Sequence, residues 1–230
     1  MLLSVIIPVY NEEKTVLEII DRVRHCGVSK LQLIVVNDCS SDGTREKLDS
    51  MPASDDLVII HHEVNQGKGA AIRTAQSLVK GDAVVIQDAD LEYSPTEFPV
   101  MLAIIEAGKA DAVYGSRYSG STTLVDTFWH YYGNKLITSF FNLVANLHLT
   151  DMETCYKMIR GEIFRSLKLT SNRFGIEPEI SARLVQRRCR IYEVPIEYAP
   201  RTGSQGKKIG WKDGVAAIWH ILKFNLLDRD

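Results

Sequence analysis

Three carboxylates, Asp88, Asp90 and Glu92, stand at every second position of the run Gln87-Asp88-Ala89-Asp90-Leu91-Glu92. Alternate side chains of an extended segment share one side, so these three would converge and repel one another unless a cation sat among them. Carboxylate oxygens are hard donors. They suit Mg2+ or Mn2+, which take a few carboxylates and complete their shell with water and phosphate oxygens. A D-x-D tripeptide also occurs in acidic loops that only stay solvated; here it follows directly on the apolar stretch Ala83 to Ile86, which favours the metal reading. An EF-hand is excluded, because glycine and the terminal glutamate are missing at the required offsets.

Other polar residues fall at similar places. Asp38 follows the apolar run Leu31 to Val36, where a carboxylate either meets a ribose or base or caps the following turn. Spacing alone leaves both open. Asp42-Gly43-Thr44 reads as turn and helix-start chemistry. Asn65-Gln66-Gly67-Lys68-Gly69 lacks the G-x-x-x-x-G-K-[ST] spacing of a phosphate loop, and the first strand runs into Tyr10-Asn11-Glu12-Glu13 with none of the glycines of a dinucleotide site. No G-x-S-x-G elbow is present for serine hydrolysis. Arg117 follows Gly115-Ser116 and could grip a phosphate with its two-pronged guanidinium. In Arg201-Thr202-Gly203-Ser204-Gln205-Gly206-Lys207-Lys208, glycines separate cations at either end, the make-up of either a lid over a diphosphate or an exposed solubilising loop.

The elements that must position these residues alternate between strand and helix, the signature of a largely parallel sheet. Strands are expected at Leu3 to Val9, Leu31 to Val36, Leu57 to His61, Ala83 to Ile86, Ala112 to Tyr114 and near Cys155 to Ile159, with a strand pair around Ile191 to Tyr198. Helical periodicity marks Glu12 to Arg24, a helix opened by Gln66-Gly67-Lys68-Gly69 and running to about Val79, Pro95 to Ala107, Phe128 to Leu147, Glu177 to Arg188, and Trp211 to Leu227. Ser119 to Asp126 and Pro200 to Gly210 read as loops. Ligands of open parallel sheets sit outside the carboxyl ends of the strands. Tyr10 to Glu12, Asn37-Asp38 and Gln87 to Glu92 are therefore expected to line one crevice.

Composition narrows the class. A chain of 230 residues, 45% hydrophobic and 24% charged, suits one soluble domain with a small extension. Its formal net charge of −2 supplies no field for nucleic acid. Charge is uneven, however: Arg183 to Lys212 holds eight Lys or Arg against two Glu. Cys26, Cys39, Cys155 and Cys189 form no C-x-x-C pair, so free thiols in a reducing cytosol are expected. The apolar start MLLSVIIPVY is too short to span a bilayer and lacks the marks of a signal peptide. Any membrane contact is expected to be peripheral.

Taken together, Ser4-Val5-Ile6-Ile7-Pro8-Val9-Tyr10-Asn11-Glu12, Val36-Asn37-Asp38, Ser41-Asp42-Gly43-Thr44, Asn65 to Gly69, Asp88-Ala89-Asp90, Gly115-Ser116-Arg117-Tyr118 and the Arg201 to Lys207 loop carry a resemblance over nearly the whole chain. The chain resembles family 2 glycosyltransferases of the GT-A fold, within them the dolichyl-phosphate mannose synthase and polyprenyl-phosphate glycosyltransferase group. The resemblance implies an α/β catalytic domain over residues 1–210, a Rossmann-like mostly parallel sheet flanked by helices. A C-terminal interfacial or packing helix over 211–230 follows, with no transmembrane segment. It implies that Pro8, Tyr10, Glu12, Val36 and Asp38 surround the nucleoside and that Asp88, Ala89 and Asp90 meet the diphosphate. Asp88, Asp90 and Glu92 would hold Mg2+ or Mn2+, and Arg201 and Lys207 would close over the leaving group. Asp88, Asp90, Arg117, Arg201 and Lys207 thus form the expected catalytic set.

Mannose synthases commonly carry Gln where Glu92 stands, so the donor is expected to be GDP-mannose or a UDP-hexose. The family holds its acceptor phosphate partly through the counterpart of Arg117 and partly through a basic and hydroxyl pair in the following helix, where this chain reads Asp126-Thr127-Phe128-Trp129-His130; His130 is the expected substitute for that pair. The implied reaction is inverting, metal-dependent transfer to a polyprenyl or dolichyl phosphate. The alternatives are transfer to a sugar hydroxyl, with Glu177 or Glu179 as general base, and nucleotide-sugar binding without turnover. The last helix presents Trp211, Val215, Ile218, Trp219, Leu222 and Leu226 at helical spacing, with Lys212 and Lys223. It is expected either to lie on the cytoplasmic face of a membrane or to pack on the sheet or a partner; a membrane-anchoring partner protein is the other expected route to the lipid.

Overall fold

Alternation along the first strand sets the two layers of the core. In the computed structural model, which describes residues 1–120, 127–199 and 211–228, strand β1 spans Leu3–Val9. Its Leu3, Val5, Ile7 and Val9 join one apolar cluster and Ile6 joins another, as the two-residue period of a strand requires. The first cluster is closed by helix α1 (Val16–Arg24) through Val16, Ile19, Ile20 and Val23, and by helix α4 (Phe98–Glu106) through Phe98, Met101, Leu102 and Ile105. The second is closed by α3 (Lys68–Gln76), α6 (Gly161–Ser166) and α7 (Ile176–Gln186). Between α1 and α3 lies a short helix α2 (Thr44–Asp49).

The sheet has seven strands. Beside β1 they are β2 (Leu31–Asn37), β3 (Leu57–His61), β4 (Ala83–Ile86), β5 (Ala112–Ser116), β6 (Lys157–Arg160) and β7 (Ile191–Pro195), in spatial order β3-β2-β1-β4-β6-β5-β7. The first four run parallel, and β7 runs parallel to β5. Strand β6 alone is antiparallel, pairing Val85 with Met158 and Tyr114 with Lys157. Its amino end therefore lies at the carboxyl edge of β4 and β5, and brings residues 150–156 to that edge.

The α/β class and mostly parallel sheet match the sequence reading, while several bounds move. Helix α1 starts at Val16 because Asn11 and Glu13 instead bond the loop after β2: Ser41 N donates to Asn11 Oδ1 at 2.8 Å and Gly43 N to Glu13 Oε2 at 3.0 Å. The strand pair expected around Ile191 to Tyr198 is one strand plus a single bridge between Tyr93 and Tyr198. The two short helices α2 and α6 lie below the length at which periodicity is readable. Helix α5 (Phe128–Ala145) and helix α8 (Trp211–Leu222) pack together, with Phe141, Met152 and Ile221 at the centre; a π turn, Lys223–Leu227, follows α8. Ala217, Ile221 and Phe224 are buried, the packing use of the last helix, while Trp219 and Leu226 stay exposed. Arg201, Lys207 and residues 121–126, with the side chains of His130, Trp211, Lys212 and Val215, lie outside the described part.

Glycine at two positions of the G-K-G run is a packing requirement. Gly67 has φ +99, and a Cβ there would lie 2.5 Å from the Asn172 carbonyl oxygen; a Cβ on Gly69 would strike the Ser171 carbonyl. The start of α3 thus lies against the backbone of 171–172, where Ala70 N donates to Asn172 O at 3.0 Å. Gly69→Ala should lower stability by about 1–3 kcal/mol through overpacking. In a thermal melt that is a drop of about 2–4 °C per kcal/mol; an unchanged melt would contradict the close approach.

Candidate active site

Three strands end at the carboxyl edge in the same way, each followed within a few residues by a non-glycine residue in the left-handed region: Asn11 (φ 55) after β1, Cys39 (φ 58) after β2 and Leu91 (φ 64) after β4. Asparagine tolerates this conformation, but Cys and Leu pay about 1–3 kcal/mol for it, a strain that clusters at functional sites. The turn at Leu91 revises one expectation. Residues 88–92 are not extended: Glu92 N turns back to donate to Asp90 Oδ1 at 3.1 Å, so the three carboxylates do not project in parallel.

The first two loops are tied together. Asn11 N donates to Ser40 Oγ at 2.9 Å, and Glu12 N to Thr44 Oγ1 at 2.9 Å. Asp38, 3% exposed, accepts from Gln66 N at 2.9 Å, Gly67 N at 2.7 Å and His62 Nδ1 at 2.8 Å. A carboxylate has about four acceptor positions, so most of Asp38 is spent holding the turn that starts α3. Pro8 and Glu12 are half-buried and Tyr10 is exposed at the edge, whereas Val36 and Ala89 are buried, Val36 within the second cluster. A nucleoside could meet Val36 only through its backbone.

Beneath the edge runs a chain of alternating charge. Lys68 Nζ lies 2.7 Å from Asp88 Oδ1 and 3.0 Å from Oδ2, 3.3 Å from Glu177 Oε1 and 3.1 Å from Cys155 Sγ. Lys157, with no exposed surface, places Nζ 2.6 Å from Glu177 Oε2 and donates to Thr154 O. Burial opposes the charge on Asp88 and on Lys68. Their mutual attraction outweighs it, holding the Asp88 carboxyl below and the Lys68 ammonium well above their ordinary values. Burial pushes the Cys155 thiol well up, which suits a neutral donor or acceptor beside the pair.

A second network orients Glu92. Arg117 spends the two prongs expected for phosphate on buried Asp151, Nε to Oδ2 at 2.7 Å and Nη2 to Oδ1 at 2.8 Å. Its guanidinium carbon lies 5.2 Å from the Tyr198 ring centroid, and Tyr198 OH donates to Glu92 Oε2 at 2.9 Å. Ala199 N further ties this strand end to Glu92 O at 2.9 Å. Among the described residues no three His, Cys, Asp or Glu side chains make a ready-built cation cage. Two hard carboxylates at the edge, Asp90 and Glu92, instead match a cation that takes one or two from the protein and the rest from water and phosphate.

Two general-base candidates are otherwise engaged. Glu177 serves Lys157 and Lys68, and Glu179 accepts from Thr170 N, Thr170 Oγ1 and Ser171 N, each at 2.8 Å. Asp151, Glu153, Lys157 and Tyr198 carry no site expectation from the sequence, and Lys68 enters there only through the phosphate-loop comparison that its run fails. Glu153 lies on the loop that β6 delivers to the edge. Its Oε1 is buried with no hydrogen-bond partner, and burial pushes its carboxyl up to about 7. The run Asp151-Met152-Glu153 just before an expected strand was the available signal, but without the direction of that strand its side of the sheet was undetermined.

In an open α/β sheet, ligands sit outside the carboxyl ends of the strands, and here that edge gathers polar loops with acidic side chains and a cation beneath. Residues 4–168 match the profile of glycosyl transferase family 2, and the chain belongs to that family. It is 29% identical over 198 residues to the glycosyltransferase AglJ of Haloferax volcanii, covering 86% of this chain and spanning 63% of that protein's length. It is 29% identical over 235 residues to the undecaprenyl-phosphate mannosyltransferase of Micrococcus luteus, covering 97% of this chain and 94% of that protein. Among solved structures, glucosyl-3-phosphoglycerate synthase from Mycobacterium tuberculosis, in complex with UDP, superposes with a TM-score of 0.74 at 18% identity, covering 97% of this chain and 79% of that one. That likeness establishes the GT-A fold.

Two consequences can be measured. Lys157→Met leaves Glu177 buried beside a single, more distant cation and should cost about 3–5 kcal/mol in a urea melt; Lys157→Met with Glu177→Leu should recover part of the loss. Glu153 gives a pH signature. Its carboxyl ionises near the ordinary glutamate value of 4.5 when unfolded and at about 7 when folded, so the folded state holds the extra proton between them. Its contribution is fully present below 4.5 and is lost as pH rises through 7. Glu153→Gln should flatten that decline, and an unaltered pH profile would remove Glu153 from the buried set.

Proposed function

We propose that this chain transfers a hexose, with inversion, from a nucleotide-sugar to a polyprenyl phosphate. The observation that carries the reading is the shared edge: the loops after β1, β2 and β4 stand together there, facing the β5, β6 and β7 ends that bring Arg117, Glu153 and Tyr198. Resemblance to the undecaprenyl-phosphate mannosyltransferase over nearly the full length of both chains supports the acceptor class. GDP-mannose or a UDP-hexose is the donor.

The nucleoside lies among Pro8, Tyr10, Glu12, the Val36 backbone and the remaining acceptor position of Asp38. Asp90 and Glu92 would hold Mg2+ or Mn2+, ions that also appear with UDP in crystals of the mycobacterial synthase; such an ion, when bound, would supply positive charge to the departing diphosphate. Asp88, whose carboxylate faces Lys68, anchors that cation beneath the sugar rather than joining the metal. Arg117 acts through Tyr198, fixing the rotamer of Glu92. Arg201 and Lys207 close over the diphosphate. An acceptor phosphate oxygen attacks the anomeric carbon opposite the diphosphate, the bond from that carbon to the β-phosphate oxygen breaks, and its electron pair leaves on the nucleoside diphosphate. The protein works at a membrane surface on its cytoplasmic side, alone or with an anchoring partner; among the described residues no helix is long and apolar enough to cross a bilayer.

One observation favours a second acceptor, a sugar hydroxyl. That reaction needs a base poised near neutrality, and the Glu153 carboxyl, pushed to about 7 with a partnerless oxygen, is one. A panel of GDP- and UDP-sugars assayed with short-chain polyprenyl phosphate decides between them. The phosphate reading predicts a lipid-linked sugar, a loss of at least about a hundredfold in kcat for Asp90→Ala, and little change for Glu153→Gln. Transfer only to sugar hydroxyls, with Glu153→Gln slowing it by about 10²–10⁴, would overturn it.

A further inference from the structure

Helix α5 is apolar on two faces. One face, with Ile137, Phe141 and Val144, packs into the cluster shared with α7 and α8. The other stays uncovered: Phe128 is 61% exposed, Trp129 83%, Tyr132 53%, Leu136 67% and Leu143 79%. Single exposed apolar residues are ordinary, but five at helical spacing on one helix mark a surface that meets something. Exposed Trp219 lies on α8, which packs against this helix.

Chemistry of the patch selects its partner. From Phe128 through Thr150 there is no Asp or Glu, while Lys135 is exposed one position before Leu136. Aromatic side chains gather at the amino end, where Phe128 packs on Trp129 and Tyr132 with ring centroids 5.2 and 4.4 Å apart. Trp, Tyr and Phe beside Lys, with no carboxylate, is the composition of an interfacial helix on anionic lipid. The same end adjoins the crevice: Tyr131 meets Tyr118 edge-on at 5.4 Å, and Tyr118 follows Arg117 at the end of β5.

We infer that the outer face of α5, Trp129, Tyr132, Leu136 and Leu143 with Lys135, docks on a bilayer bearing anionic headgroups and so sets the β5 side of the crevice at headgroup level. This rests on the lipid-phosphate reading for its purpose but not for its test. Docking by α5 differs from docking by the last helix, because α8 spends Ala217 and Ile221 on packing.

The test is flotation with phosphatidylcholine vesicles containing phosphatidylglycerol and no polyprenyl phosphate. The intact chain, Trp129→Ser with Leu136→Ser, and a control, Val100→Ser at an exposed position of α4, are compared, with nucleotide binding by calorimetry confirming that each is folded. The wild type and the control are expected to float and the double variant to lose at least tenfold in partitioning, while keeping turnover on a water-soluble short-chain acceptor. Equal flotation of wild type and double variant, no flotation of wild type, or a concentration-dependent wild-type dimer that the double variant abolishes, would each overturn the docking surface. Turnover on the short-chain acceptor reads the transferase assignment independently, so failure of one is distinguishable from failure of the other.

Discussion

A buried chain of alternating charge, Asp88, Lys68, Glu177 and Lys157, ties together the loop after β4, the start of α3, the start of α7 and the start of β6. Desolvating each ion costs several kcal/mol, returned only while the partners stay in register. The arrangement fixes how four separate segments meet beneath the crevice. It also depends on the two glycines around Lys68, since any larger side chain at Gly67 or Gly69 would push α3 off the 171–172 backbone and draw the ammonium away from Asp88. What looks in sequence like a fragment of a phosphate loop serves here to bring one cation, Lys68, to the Asp88 and Glu177 carboxylates beneath the carboxyl edge.

The antiparallel insertion of β6 gives the crevice its second wall. Had that strand run parallel, Asp151, Glu153 and Lys157 would lie on the far edge, and Arg117 would lack the carboxylate that spends both its prongs. With Asp151 in place, Arg117 stacks on Tyr198 and Tyr198 steadies Glu92. The opposite wall is held by left-handed turns at Asn11, Cys39 and Leu91, strained at the last two; hydrogen bonds interlock the first two loops, and Glu92 N to Asp90 Oδ1 closes the third.

Most of this wall was legible in the sequence, because apolar runs ending in polar residues locate both a strand and its carboxyl end. Tyr10, Asp38 and the Asp88 to Glu92 run fell at one edge as that logic required. Direction was what the pattern lacked: Lys157–Arg160 reads alike in either orientation, so the groups that β6 brings were passed over. Side-chain allegiance was equally hidden. Spacing placed Asp88 in line with Asp90 and Glu92, but the left-handed turn at Leu91 and the reach of Lys68 from a distant helix depend on contacts across the fold. Helix α5 showed its apolar content but not that half of it is left uncovered.

The central claim is that Asp90 and Glu92 hold a cation together with a nucleoside diphosphate, while Asp88 belongs to Lys68. Mn2+ binding followed by electron paramagnetic resonance, with and without GDP or UDP, tests it most directly. The account predicts weak binding of the metal alone, strong binding with the nucleotide, loss of that gain in Asp90→Ala and its retention in Asp88→Asn. Nucleotide-enhanced binding that survives Asp90→Ala, or that vanishes in a folded Asp88→Asn, would contradict it.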